Sequence, residues 1–198
     1  MGKFQLWPHP WWVNLLLLIP AIAGFAARRN QLPLTKRQLF LLTIFGAAFG
    51  FVEAAVVVYL RAVAGLLPGY TGSLALLRQS SLGYEQAKLL AQFPQSLLAI
   101  EMFREAATLV MLAALALLAA PRTSGRWIAF LWTFAMWDIS YYASLWTTVR
   151  WPASLEDVDV LFLIPVPWVA QVWFPLLVSS LTIAALALSS TSNSGEPR

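Results

Sequence analysis

Five stretches of mainly apolar residues, 11–27, 39–64, 96–120, 127–147 and 168–188, each approach or exceed the length of a membrane-crossing helix. About 20 such residues carry a helix across roughly 30 Å of hydrocarbon. A soluble domain of 198 residues has no core large enough to hide five of them. The composition agrees, with 60% hydrophobic and only 11% charged residues, where a soluble domain carries roughly 25% charged. The pattern predicts an all-α, polytopic transmembrane helix bundle that forms a single domain over residues 1–188. Residues 189–198, rich in Ser and Thr, are expected to form a disordered polar tail.

Orientation follows from the loops, because Lys and Arg are retained on the cytoplasmic side. Arg28, Arg29, Lys36 and Arg37 follow the first stretch, Arg122 and Arg126 follow the third, and Arg198 ends the tail. The opposite loops hold fewer basic residues and also carry Glu85, Glu156, Asp157 and Asp159. The N-terminus is therefore expected outside and the C-terminus inside, as in a bacterial cytoplasmic (inner) membrane. A cleaved signal peptide would carry its positive charge before the apolar run, whereas here Arg28 and Arg29 follow it. The net charge of +4 is spread in short runs between apolar stretches and forms no nucleic-acid patch.

Two segments fit neither spans nor simple loops. Residues 74–93 mix Leu, Tyr and Phe with Arg78, Glu85 and Lys88, as in a helix lying on the outer surface. Residues 158–167, leading to Pro165, Pro167 and Pro175, hold an apolar run too short to cross, which predicts a re-entrant half-helix or a kinked entry to the last span.

The chemistry available is narrow. With no cysteine and one histidine, disulfides, thiolates, iron–sulfur clusters and multi-histidine metal sites are excluded. His9, between two prolines, reads as solvated. No cofactor and no metal site are expected.

Ionisable residues inside the bilayer cost roughly 2.5 to 3.5 kcal/mol each on insertion scales, so they face protein or water and find partners. The second span carries Glu53, with Arg61 near its outer end; the third carries Glu101, Arg104 and Glu105; the fourth carries Asp138. At about 1.5 Å per residue, all six fall in the outer half or near the midplane. Glu53 lies seven residues after Gly46 in a GxxxG row completed by Gly50, which places it on a tight helix contact. Glu101, Arg104 and Glu105 share one helical face, continued by Thr108, and Asp138, Tyr141 and Tyr142 share another. Arg150, Glu156, Asp157 and Asp159 would roof this region if the proline-rich segment folds back. With no cation within four residues on its own helix, Glu53 is expected to tolerate Gln, whereas Glu101 and Glu105 are expected to partner Arg104.

The candidate ligand- or ion-binding set is thus Glu53, Arg61, Glu101, Arg104, Glu105, Asp138, Tyr141, Tyr142 and Arg150. Such pairs can be structural glue that fixes helix register. Against that, four carboxylates face two arginines on the three spans, which leaves room for a proton, a small cation or an amphipathic ligand. Three function classes follow. A small transporter or ion- or proton-coupled carrier suits buried carboxylates beside a broken segment, although five spans without a repeat are few for a solitary carrier. A structural or accessory subunit, meeting a partner membrane subunit or a second copy, suits the small size and many aromatics. An intramembrane enzyme acting on a lipid or lipid-linked substrate would use a carboxylate base and arginines on a phosphate, but lacks a catalytic His, Cys or Ser motif. Expected partners are membrane lipids, with no nucleic acid. Single cysteines introduced at Thr35 and Ser124 are expected to react with an impermeant maleimide only from the cytoplasmic side, and one at Ser80 only from outside; the opposite labelling of Ser80 would reverse the orientation.

Overall fold

The structure, a computed structural model, describes residues 8–29, 34–63 and 95–191, with the backbone alone at 60–63 and 190–191. The predicted surface segment 74–93 lies outside the described residues. The chain is mostly helical, 78%. A 3₁₀ segment, Trp11–Leu18, runs into α1, Ile19–Arg29; then come α2, Lys36–Val63, α3, Gln95–Ala119, α4, Thr123–Val149, and α5, Trp173–Thr191. Trp11–Arg29, Lys36–Tyr59 and Gln95–Ala119 are long and apolar enough to cross a membrane, and Trp173–Ser189 is a shorter apolar helix.

The first apolar stretch differs from a simple α-helix. Pro20 has no N–H to give the Leu16 carbonyl, and in an α-helix its ring would collide with that carbonyl. The Ile19 N–H takes it instead, closing the tighter 3₁₀ turn. Eight residues at about 2.0 Å and eleven at about 1.5 Å give about 32 Å, so the extended winding still spans hydrocarbon thickness.

α4 is the central helix, packing on α2, α5, α3 and α1, while α1 lies along α5. The α2–α4 contact is the closest approach. A Cβ at Gly46 would come within 2.9 Å of the Thr133 carbonyl oxygen, and one at Gly50 within 2.6 Å of the Trp137 carbonyl oxygen. Only the missing side chains of the GxxxG row let the two backbones meet. A hydrogen bond of 2.9 Å from Trp132 Nε1 to Thr43 Oγ1 ties the same pair. α2 begins in a reciprocal cap: Thr35 Oγ1 accepts from the Gln38 N–H at 3.2 Å, and Gln38 Oε1 accepts from the Thr35 N–H at 2.8 Å. The Gln38 amide also donates to the Ala119 carbonyl at 2.7 Å, fixing the start of α2 against the end of α3.

The segment before α5 is neither a half-helix nor a kinked helix entry, and the bundle is not purely α-helical. It is an antiparallel hairpin, β1, Val158–Phe162, and β2, Trp168–Gln171, so residues 168–171 belong to a strand and not to the last helix. The run Val158-Asp159-Val160-Leu161-Phe162 is rich in residues that favour strands, and Pro165 and Pro167 sit in the connection, where the ladder does not need their missing N–H groups. The free edge of β2 is covered by His9, which exchanges backbone hydrogen bonds of 2.8 and 2.7 Å with Val169. At the other end, Ser189 does not begin a disordered tail. Ser189 to Thr191 continue α5, with the Ser189 hydroxyl donating to the Ala185 carbonyl at 2.7 Å, which hides its polarity within the helix.

Buried side chains form three groups: one around Ala27, Leu42, Ala116, Ile128 and Leu186, one around Val58, Leu145 and Val172, and one under the hairpin around Val13 and Phe174. They meet around the site described below. Outside, Phe25, Phe103 and Leu118 are 68, 78 and 86% exposed, an apolar exterior that suits lipid and not water. Gly50→Ala is expected to cost about 1 to 3 kcal/mol, because backbone and not a mobile side chain blocks the new methyl. Gly24→Ala, whose methyl would meet the Ala185 Cβ at 3.3 Å, is expected to cost less than about 1 kcal/mol; unfolding temperatures in detergent check the order.

Candidate functional site

Among the described residues, every helix, the 3₁₀ segment and the hairpin contribute to one cavity of about 410 Å³. That size matches a small-molecule site. Glu53, Glu101, Arg104, Glu105, Asp138, Tyr141 and Tyr142 all line it, together with Asp159 from β1. Residues as far apart in sequence as Leu16 and Thr182 thus share one space.

Of the two other proposed members, one stands apart. Arg150 does not line the cavity: it terminates α4 in the left-handed conformation at φ 60°, its backbone N–H bonded to the Trp146 carbonyl and its exposed guanidinium 4.4 Å from the centre of the Trp146 ring. The left-handed turn that ends the helix swings the side chain outward. Arg61 lies on the last turn of α2, and its side chain is outside the described residues.

The acidic groups differ in the donors that hold them. The Arg104 guanidinium bridges two helices, bonding Glu101 on its own helix, with Nε 2.9 Å from Oε1, and Glu53 on α2 through Nη1. Thr108, one turn further along α3, donates to the other Glu53 oxygen at 2.8 Å. Glu53 is therefore not free of cations: its partner comes from α3, where spacing along α2 gives no sign of it. Glu105 does not serve as the second partner of Arg104. Its Oε2 accepts from the Leu163 N–H at 2.8 Å, at the end of β1.

Asp159 is fully buried; it accepts the Tyr142 hydroxyl at 2.8 Å through Oδ2 and the Val160 N–H at 2.8 Å through Oδ1. Sequence reasoning placed it only in the roof. Its alternation with the apolar Val158 and Val160 was the signal that it points to one face of a strand. Asp138 accepts from the Ser179 hydroxyl at 2.8 Å, a partner on α5 that reading the fourth span alone does not reveal. Asp138 is half-buried and lines the cavity.

The remaining wall is aromatic. Phe130, Phe134, Trp137, Phe162 and Trp168 form a continuous series with successive ring centres 5.0 to 6.3 Å apart, distances at which ring edges meet ring faces favourably. Trp137 and Trp168 hold buried indole N–H groups with no acceptor among the described residues. Five carboxyl groups line the cavity against the single guanidinium of Arg104, counted among those residues. No three acidic or histidine side chains there converge in a metal-binding arrangement.

Comparison with protein families, curated proteins and solved structures finds no match to this chain. The geometry itself then carries the functional reading. Glu53→Gln is expected to lower stability by about 1 to 3 kcal/mol, because half of the bridge that Arg104 makes loses its charge. Glu105→Gln is expected to cost less than about 1 kcal/mol, since an amide oxygen still accepts the Leu163 N–H. Thermal unfolding of both variants in one detergent checks this order; equal losses would mean that Arg104 does not depend on Glu53.

Proposed function

We propose that this protein is a five-span integral membrane protein, N-terminus outside and C-terminus inside, that works as a small proton-coupled carrier of an amphipathic ligand in a bacterial cytoplasmic membrane. The observation that carries the reading is the imbalance, among the described residues, of five carboxyl groups against one guanidinium around a cavity of about 410 Å³. A set of pairs that only glued helices together would be matched in charge, because unpaired charge in a water-poor interior is costly. Carboxyl groups left without a cation are instead suited to exchange protons or to bind a positively charged group.

Other features support it. α4 becomes the fourth span by its length of 27 residues, about 40 Å, and its central place; its lower apolarity reflects Asp138, Tyr141 and Tyr142 facing the interior. The Gln38–Ala119 and Arg126–Ala120 hydrogen bonds gather Lys36, Arg37, Arg122 and Arg126 at one end of the bundle, as the retention of positive charge in the cytoplasm requires. The hairpin supplies non-helical backbone beside the cavity, the setting in which such backbone is tolerated at membrane depth.

The test uses liposomes containing the protein and an entrapped pH-sensitive dye. Dodecylamine, dodecylphosphocholine and dodecanol are added in turn below their solubilising concentrations. At least one is expected to cause proton movement well above that of protein-free vesicles, and Asp138→Asn, which keeps an oxygen to accept from Ser179, is expected to reduce it at least about tenfold while unfolding at the wild-type temperature. Proton movement equal to that of protein-free vesicles for all three would overturn the carrier reading.

A further inference from the structure

The five carboxyl groups differ in what already holds them, and that difference singles out one. Glu53 and Glu101 share Arg104, and Glu53 also takes the Thr108 hydroxyl. Glu105 takes a backbone N–H from the hairpin, and Asp159 takes a phenol and a second backbone N–H. These four are occupied in holding the helices and the hairpin together. Asp138 is left with one neutral hydroxyl, from Ser179, and no cation among the described residues. A carboxylate can accept about four hydrogen bonds, so most of its capacity is open to the cavity it lines.

The walls beside it define the complement. Phe134 and Trp137, about one turn or less from Asp138 on α4, meet Phe162 of the hairpin at 6.2 and 6.3 Å between ring centres, the first stacked and the second tilted. Aromatic faces attract cations, and together with a carboxylate they form the recognised setting for organic ammonium groups. A hard metal ion would need several converging oxygen ligands, and the described residues offer no such group. Trp137 adds an independent observation: it is only 9% exposed, it lines the cavity, and its indole N–H has no acceptor among the described residues. A buried donor left unsatisfied is costly, and an oxygen on a ligand head group would relieve it. Leu98, Leu109 and Val178 continue the wall with apolar surface suited to a chain.

We infer that Asp138 is the seat of an organic ammonium head group, held against Phe134 and Trp137, on a ligand of the long-chain amine or amino-alcohol class whose apolar chain runs along the rest of the cavity. This deepens the reading of the cavity as a ligand site and rests on it. The other four carboxyl groups are scaffold, and the ligand contributes the positive charge that Asp138 lacks.

The test is equilibrium binding of tritiated dodecylamine to the full-length protein in lipid nanodiscs, corrected for empty discs. Saturable binding is expected, displaced by unlabelled dodecylamine and at least about tenfold less well by dodecanol. Asp138→Asn is expected to weaken it at least about tenfold. Phe134→Leu, which keeps the acid and the fold and removes one aromatic face, is expected to weaken it about threefold, so that the inference stays testable should Asp138→Asn fail to fold. Equal competition by dodecylamine and dodecanol, or wild-type binding by a folded Asp138→Asn, would overturn the ammonium seat. Selective amine binding without protein-dependent proton movement would leave the seat standing and retire the carrier. Proton movement driven by dodecanol, without selective amine binding, would do the reverse.

Discussion

The bridge from Arg104 to Glu101 and Glu53 is the interaction on which the cavity depends. α3 packs chiefly on α4 and leaves Phe103 and Leu118 facing outward, so apolar contact alone places it loosely. In a bilayer there is little hydrophobic driving force between helices, because lipid chains are as apolar as leucine. What fixes α3 is polar: Arg104 and Thr108 on Glu53, the Gln38 amide on the Ala119 carbonyl, and Glu105 on the hairpin. These contacts sit on the side of α3 that faces the bundle. They hold the helix to its neighbours while the space between them stays open.

The hairpin poses a second problem with the same solution. Backbone N–H groups outside a helix must find acceptors wherever water is scarce. His9 closes the edge of β2 with two backbone bonds, and the N–H groups of Val160 on β1 and of Leu163 just after it are taken by Asp159 and Glu105. Two of the five acidic groups are thus explained by secondary structure. A charged acceptor makes a stronger hydrogen bond than a neutral one, which suits a site where the alternative partner is hydrocarbon. Chemistry that looks like a binding cluster in the sequence is in part the cost of placing a hairpin there. Asp138 is held by neither a backbone group nor a cation among the described residues.

Close packing and open space lie side by side on α4. One face carries the Gly46 and Gly50 contact with α2, where a methyl group does not fit. Neighbouring positions carry Phe134, Asp138 and Tyr141 into the cavity. The rigid side fixes the helix in position and the other side presents its groups in fixed geometry.

By itself the sequence determined the helical character, the apolar runs, the tight approach at Gly46 and Gly50, and the spacing that puts Glu101, Arg104 and Glu105 on one helical turn and Asp138, Tyr141 and Tyr142 on another. These follow from local quantities: apolar length, the 3.6-residue period and the cost of burying charge. The tertiary structure decided who pairs with whom. Arg104 reaches across to Glu53 and leaves Glu105 to the hairpin, Asp138 meets Ser179, and Arg150 turns outward, because each outcome depends on which helices are neighbours and how they are rotated. It also decided that residues 158–162 and 168–171 form strands and that Pro20 is preceded by a 3₁₀ winding. A short apolar run bounded by prolines fits several conformations equally well in isolation. The choice falls to the partner that can satisfy its backbone, and Glu105 and Asp159 are that partner only once α3 and α4 are in place.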